Sequence, residues 1–307
     1  MNTPSSEVQP FHLVAPGGAL RNPSIAVGET EIIALVDAVP DPVDASWSFP
    51  DVPARAWTAH ADGSLDEAGR FRPNLACFAV RTPGSTVLID FGIGPGPNAY
   101  LKEIRGRLPE RLAAAGLSFG DIGSVVFTHL HMDHVGWATT RDADGVARAS
   151  CPGARHYVAE RELSFWQQAP TSVGAHHREA FKDRIVPLVR DGLIQTVRGK
   201  AEFAPGLSLL ATPGHTPGHS SVMIRSADHV IVVAGDVFHC PAQVEHPDWC
   251  HRADHDAAGA RASRNRFLAE AAEGGWLIAA GHFRDGWMFG RVARGRDGYR
   301  FLPVRTA

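Results

Sequence analysis

The segment His129-Leu130-His131-Met132-Asp133-His134 constrains this chain more than any other. Directly before it stands the run Ser124–Thr128, apolar and β-branched as a buried strand is. A strand is stiff, so a turn at its end can present several imidazoles at one point in space. Neutral imidazole and carboxylate are the usual protein ligands of zinc and its neighbours. Shuffling the same composition would give HxHxDH in only about three chains per thousand. One short motif does not close a metal site, so the fold must bring further ligands to this strand end.

The 307 residues suffice for a large core, in one big α/β domain or two smaller ones. A net charge of −3 without any basic run argues against binding nucleic acid or an anionic membrane through bulk charge. Arginine outnumbers lysine 27 to 3, which reads as compositional bias rather than as a site. No apolar stretch reaches the length of a membrane span, and Met1–Pro10 is polar, without the apolar core of a secretory signal. A cytoplasmic protein is expected. Cys77, Cys151, Cys240 and Cys250 are scattered without CxxC spacing, so free thiols are expected rather than a Cys240–Cys250 bridge.

Strands are expected at Glu31–Val39 and, around a Pro83-Gly84 turn, at Leu75–Arg81 and Thr86–Asp90. Between them, residues 40–72 are rich in Pro, Trp, Asp and Gly and read as a long irregular excursion. Its Trp47, Phe49 and Trp57 either wall a pocket or subunit contact or pack onto the core. Leu101, Ile104, Leu108, Leu112 and Ala115 keep a helical spacing that Pro109 restarts and Gly116 ends. Further strands are expected at Arg155–Ala159, Leu207–Ala211, His219–Ile224, His229–Ala234 and Trp276–Ala280. Helices are expected at Glu160–Gln168, His176–Val186 and Asp254–Glu273. This alternation suits two sheets packed face to face with helices outside, an α/β (α+β) chain.

Three of the strands end beside glycine and a ligand-type residue. Leu207–Ala211 runs into Thr212-Pro213-Gly214-His215-Thr216-Pro217-Gly218-His219, Ile231–Ala234 into Gly235-Asp236, and Trp276–Ala280 into Gly281-His282. Each taken alone reads as a turn or capping residue. Strand ends gathered at one sheet edge would carry all of them to the histidine motif.

HLHMDH, TPGHTPGHS, GD and GH, 81, 21 and 46 residues apart, resemble the metallo-β-lactamase superfamily over residues of about 75 to 285. The resemblance implies a four-layer αββα sandwich with two metals at one edge of the sheets. It implies one domain over 1–307, with an N-terminal extension (1–72) and a metal-binding core (73–290). Carried over residue by residue, it places His129, His131 and His215 on one metal, and Asp133, His134 and His282 on the other. Asp236 bridges the two, and Asp90 supports the site without ligating. His219 is expected to orient the loop that carries His215. Two divalent ions are implied, Zn2+ the first expectation and Mn2+, Fe2+ or Co2+ compatible. Ions about 3.5–4 Å apart can share a hydroxide that attacks the substrate, with Asp133 orienting the nucleophile or carrying a proton to the leaving group.

Within the superfamily, Asp236 disfavours the true β-lactamases, which usually lack a bridging aspartate. No flavin domain, basic RNA-binding arm or glutathione-binding cluster is evident. What remains resembles the acyl-homoserine lactonases and methyl parathion hydrolase-like enzymes. The expected substrate is a small neutral ester, foremost a lactone, with a phosphotriester or aryl ester as the alternative. A metal-binding regulatory or interaction protein with little catalysis is the reading from another class. Lactonases of this type often have tyrosine three residues after the bridging aspartate, where this chain has His239. His239 is thus either an oxyanion contact or a packed histidine. Phe91, Ile93, Trp137, Trp166, Phe238 and Phe283, with Trp249 and Trp287, are candidates for an apolar pocket. His246, His251 and His255 read as surface or interface. By family analogy a homodimer is expected, with the 40–72 excursion as contact.

Overall fold

The computed structural model of the protein describes residues 22–97, 100–101 and 103–304. The polar N-terminal segment Met1–Pro10 lies outside them. Sheet one gathers β1 (Ser24–Val27), β2 (Thr30–Ala38), β3 (Leu75–Thr82), β4 (Ser85–Ile89) and β5 (Ser124–Val126). The hairpin β6 (Thr139–Arg141) and β7 (Ala147–Ala149) stands apart, and β8 (Arg155–Ala159) and β9 (Ile194–Val197) complete sheet one in the order β1-β2-β3-β4-β5-β8-β9. Sheet two follows the chain: β10 (Glu202–Ala204), β11 (Leu207–Ala211), β12 (Ser220–Ser226), β13 (His229–Val233), β14 (Leu277–Ala279), β15 (Phe289–Gly295) and β16 (Gly298–Pro303). The early strands of sheet one pair antiparallel, whereas β4, β5, β8 and β9 run parallel.

Period-two side-chain alternation separates the layers. In β2, Ile32, Ala34 and Val36 join Leu209, Val222, Ile231 and Leu277 between the two sheets, while Ile33 and Leu35 face the other way. That outer face of sheet one is covered by Leu108 and Leu112 of one helix and by Leu163, Phe181 and Leu188 further on. The long helix Ala257–Gly274 covers sheet two through Phe267, Leu268 and Ala271. The result is the expected αββα stack. Among the described residues no helix is long and apolar enough to cross a membrane, and all four cysteines are free and buried.

Differences from expectation have local causes. The helix expected from Leu101 begins only at Leu108. Before it the chain is pinned to Asp37, whose backbone carbonyl accepts from Arg107 and whose carboxylate accepts from the Leu108 amide. A Cβ on Gly106 would stand 2.3 Å from that carboxylate. Leu101 and Ile104 instead pack with Ile93 and Met132. The helix expected at His176–Val186 starts at Ala175, passes through a π-helical stretch Phe181–Ile185 and ends at Arg190. Asp256, not Asp254, caps the long helix, accepting from the Ala258 and Gly259 amides. The excursion contains the short helix Ala45–Ser48 and the 3-10 helix Ala54–Ala59. Its Phe49, Trp57 and Phe71 form a separate core with Cys240 and Trp249.

His156 on β8 is fully buried against Phe91 and Phe127. Neither ring nitrogen has a hydrogen-bond partner. Burial pushes its pKa down to about 4, opposed slightly by the nearby Ala154 backbone. The unfolded chain therefore takes up a proton near pH 6.5 that the native state refuses until about pH 4. Stability is fully present above 6.5 and falls by about 3 kcal/mol as pH drops through this window. Replacing His156 by Phe should flatten this part of the acid limb. Urea unfolding at pH 7 and pH 4.5 checks it, since equal losses in variant and wild type would mean the ring is charged or hydrated in the native state.

Candidate metal centre

The ends of β4, β5, β11, β13 and β14 meet at one edge of the sandwich, and each delivers a polar side chain there. Asp90, just past β4, adopts a left-handed φ of 64°. Its carboxylate accepts from the Thr128 amide (2.8 Å) and hydroxyl (2.7 Å), fixing the end of β5. It also accepts from Nδ1 of His134 at 2.9 Å, which turns Nε2 of that ring toward the cluster. His282 is turned in the same way by donating Nδ1–H to the Asn74 carbonyl at 2.8 Å.

Asp236 lies at the centre. Oδ2 stands 3.0 Å from His282 Nε2, 3.1 Å from His215 Nε2 and 3.8 Å from His129 Nε2, while Oδ1 is 3.2 Å from His134 Nε2. His131 Nδ1 and His215 Nε2 approach to 2.9 Å. Asp133 completes the set, 3.7 Å from His134 and 4.0 Å from His282. All seven candidates read from the sequence thus come together. Ligand atoms of His129, His131 and His215 lie close enough to share one ion, and those of Asp133, His134 and His282 another.

Electrostatics favours cations here. Burial, reinforced by neighbouring imidazoles, holds His129 and His131 well below the ordinary histidine pKa, so both present lone pairs. For His215 burial works downward but is outweighed by Asp236 and Asp254, which raise it to about 9. Asp236 is held well below the carboxylate range by the surrounding imidazoles, although burial opposes this. His129 Nε2, His134 Nε2 and Asp236 Oδ1 are buried with no hydrogen-bond partner. Each such orphan costs about 1–3 kcal/mol, and a structural zinc returns about 10–16 kcal/mol. The donor set fits a pair of divalent ions.

Several supporting residues carry no local sequence signal. Asp254, preceding the long helix, accepts from His215 Nδ1 at 3.0 Å and is itself held by the buried Arg264 at 3.0 Å. Glu162, fully buried, accepts from the Leu130 amide, the Trp166 indole, the Thr216 hydroxyl and the Gly218 amide. It joins the loop of the histidine motif to the loop of His215. His219 accepts from the Asp236 amide through Nε2 (2.9 Å), so its Nδ1–H donates to the Thr212 carbonyl. It therefore couples the His215 loop to the Asp236 loop.

Above the cluster opens a cavity of about 600 Å³, floored by His131, Asp133, His215, Asp236, His239 and His282. Of the candidates read beside the ligands only Trp166 lines it, and of the three excursion aromatics only Trp47 does. Phe91 packs against Phe127, Phe238 against Phe267, and Phe283 against Phe301. Trp137 donates to Asp37 at 3.0 Å, and Ile93 packs behind the wall. Trp249 lies on Trp57, and Trp287 stacks with Phe301. Side chains beside a strand-end ligand alternate back into the core, so neighbours in sequence do not reach the cavity. The walls come instead from Trp47 and Phe71 of the excursion and from Leu75, Tyr100 and Phe165.

His251 also lines the cavity rather than an outer surface. Its ring stacks on His239 at 4.0 Å, and its amide donates to Asp254. His255 stands at the wall against Phe165, and its amide donates to the His215 carbonyl. His239 faces the floor, Nε2 3.4 Å from Asp236, and both its ring nitrogens lack a hydrogen-bond partner.

The family model of the metallo-beta-lactamase superfamily matches residues 74–282, from Asn74 beneath the cavity to His282 in its floor. The chain belongs to the metallo-beta-lactamase superfamily. Among curated relatives, an N-acyl homoserine lactonase of Bacillus sp is 29% identical over 120 residues, covering 39% of this chain and 40% of the relative. A protein of Mycobacterium bovis named as a probable metallo-hydrolase is 28% identical over 184 residues, 52% of this chain and 55% of the relative. The chain thus spans about two fifths of the length of the lactonase it matches. A solved structure of the hydrolase AbOPH, in the beta lactamase superfamily, is 26% identical with a TM-score of 0.79, covering 92% of this chain and 97% of that one. AidC, a dizinc quorum-quenching lactonase solved with the product N-hexanoyl-L-homoserine, shares the fold at TM-score 0.78 and 22% identity, with the same coverage.

Proposed function

We propose that the protein is a dinuclear metallo-hydrolase that opens a small neutral ester, foremost a lactone of the acyl-homoserine type. The observation that carries this reading is the convergence of seven ligand-type side chains, three of their atoms buried and unpaired, beneath a cavity with aromatic walls. His129, His131 and His215 would hold one ion, Asp133, His134 and His282 the other, with Asp236 shared. Two divalent cations held there, Zn2+ foremost, would supply a lowered pKa for water and polarisation of the ester carbonyl. Asp133, partly open to the cavity with 19% of its side chain exposed, can take a proton and pass it to the leaving alkoxide. His239 can donate to the carbonyl oxygen or to the departing oxygen, since neither ring nitrogen has a hydrogen-bond partner and Nε2 has only the Asp236 carboxylate, at 3.4 Å, beside it. Trp166 and Leu75 offer apolar surface for an acyl chain, and the Glu162 carboxylate fixes the indole at 2.7 Å.

His239 favours a second substrate class on the same site, phosphotriesters and aryl esters, because an imidazole stands where a lactonase hydroxyl is expected. A hydrolysis panel on zinc-loaded protein tests both readings with acyl-homoserine lactones, simple lactones, aryl esters and phosphotriesters. Lactones should turn over fastest, and His239→Ala should lower kcat about 10²–10³-fold, as loss of one donor to a developing oxyanion does. Preference for the triester would replace the first reading with the second. Absence of turnover on every substrate, with two metals bound, would leave a binding protein and end both.

A further inference from the structure

A second group of ligand-type side chains stands away from the cavity floor, where the excursion meets the segment after His239. His60 ends the 3-10 helix Ala54–Ala59, and Glu245 and His246 end the short helix Ala242–Glu245. Glu245 Oε2 lies 2.9 Å from His60 Nδ1, and His60 Nε2 lies 2.8 Å from His246 Nε2. A carboxylate can only accept, so His60 carries its proton on Nδ1 and aims the Nε2 lone pair at His246. The Trp249 ring stacks flat on His246 at 4.5 Å and meets His60 edge-on at 5.8 Å, which fixes both imidazoles.

The same contact occurs at one other place among the described residues. There His131 and His215 bring two ring nitrogens to 2.9 Å inside the candidate metal centre. Among the described residues five groups of three ligand atoms lie close enough to share an ion; four belong to that centre, and the fifth is His60, Glu245 and His246. A carboxylate on the far nitrogen of a metal-bound imidazole is the usual way such a ligand is oriented. Imidazole with carboxylate is a set that zinc takes readily.

We propose that His60 and His246, with Glu245 as third ligand or as the orienting carboxylate, form a further zinc site that staples the excursion to the chain after His239. Its consequence lies in the wall of the cavity. Trp249 packs on Trp57 at 4.8 Å, and Phe49 and Phe71 of the same excursion pack against His251, whose ring covers His239. An ion held between His60 and His246 therefore fixes the aromatic cluster from which Phe71 and His251 line the cavity.

The test titrates chelator-stripped protein with Zn2+ alone, removes free metal and counts bound zinc by atomic emission. Wild type should hold one equivalent more than the double variant His60→Gln, His246→Gln, and zinc should raise its Tm further. Glu245→Gln should weaken that equivalent about 10–100-fold without abolishing it. Both histidines are partly exposed, so the variants should fold; His60→Gln alone provides the milder check. A His131→Ala, His215→Ala variant should lose zinc from the central cluster and keep the extra equivalent, so failure of the staple and failure of the proposed catalytic centre read out separately. Equal zinc counts in wild type and the His60, His246 double variant would overturn the proposal and leave an imidazole pair joined by a plain hydrogen bond.

Discussion

Replacing Asp236 by alanine should abolish ester turnover, by roughly a thousandfold or more, and leave the chain folded. Loss of a partner that merely orients a metal ligand costs about 10–100-fold, and Asp236 does more than that. Its two oxygens face His129, His134, His215, His239 and His282 at 3.0 to 3.8 Å. Without it these rings share no central counter-charge, and both proposed ions lose a ligand at once. The fold should survive because the loop is held through its backbone. The Asp236 amide donates to His219, and the Ala234 amide to the Ala279 carbonyl, contacts that alanine preserves. Asp236→Asn separates charge from shape and should also bind metal poorly. The checks are zinc content, turnover on the preferred ester and urea unfolding. Full activity in the alanine variant would disprove the proposed mechanism, whatever the metal content.

The seven ligand candidates were legible through the histidine motif and the strand ends beside glycine, and the family resemblance assigned each of them to a metal. Each stands one to a few residues beyond an apolar strand, and strand ends on the same side of two packed sheets arrive at one edge. Two sheets packed face to face with helices outside were legible as well, since continuous apolar runs such as Ile32–Val36 mark strands that must be covered on both faces. What supports the site was not. Asp254 reaches His215 across 39 residues from a segment that reads as the start of a helix. Phe91, Phe238 and Phe283 sit beside ligands in the sequence but alternate into the core, while Phe71 comes to the cavity from an irregular stretch in which only Trp47, Phe49 and Trp57 read as possible wall residues, and of these Trp47 alone lines it. The π-helical turn at Phe181–Ile185 reflects tertiary packing, with Phe181 and Ile185 both in the core, and periodicity alone does not announce it. The His60 and His246 pair was missed because its two halves are 186 positions apart.

Glu162 is the clearest case of hidden support, and its removal should have the second large effect. Local reading places it on an amphipathic helix where a glutamate belongs in solvent. Yet it is fully buried, and its four donors come from positions 130, 166, 216 and 218. Burial raises its pKa, and the four hydrogen bonds work the other way. The space around it is closed as well, since a Cβ on Gly218 would stand 2.1 Å from the Glu162 backbone. Glu162→Ala leaves four donors without their acceptor. At about 1–3 kcal/mol for each buried orphan, and allowing for relaxation and entry of water, a loss of about 3–5 kcal/mol is expected. Because three of those donors, at 130, 216 and 218, lie on the loops carrying His131 and His215, zinc affinity should also fall about 10–100-fold. Glu162→Gln keeps an oxygen acceptor and should recover part of both losses. Zinc titration beside urea unfolding separates the effects. A brace of the metal loops predicts that affinity and stability fall together and that the glutamine variant restores affinity. A variant destabilised by this amount with unchanged zinc affinity would make Glu162 a core residue that happens to lie near the site.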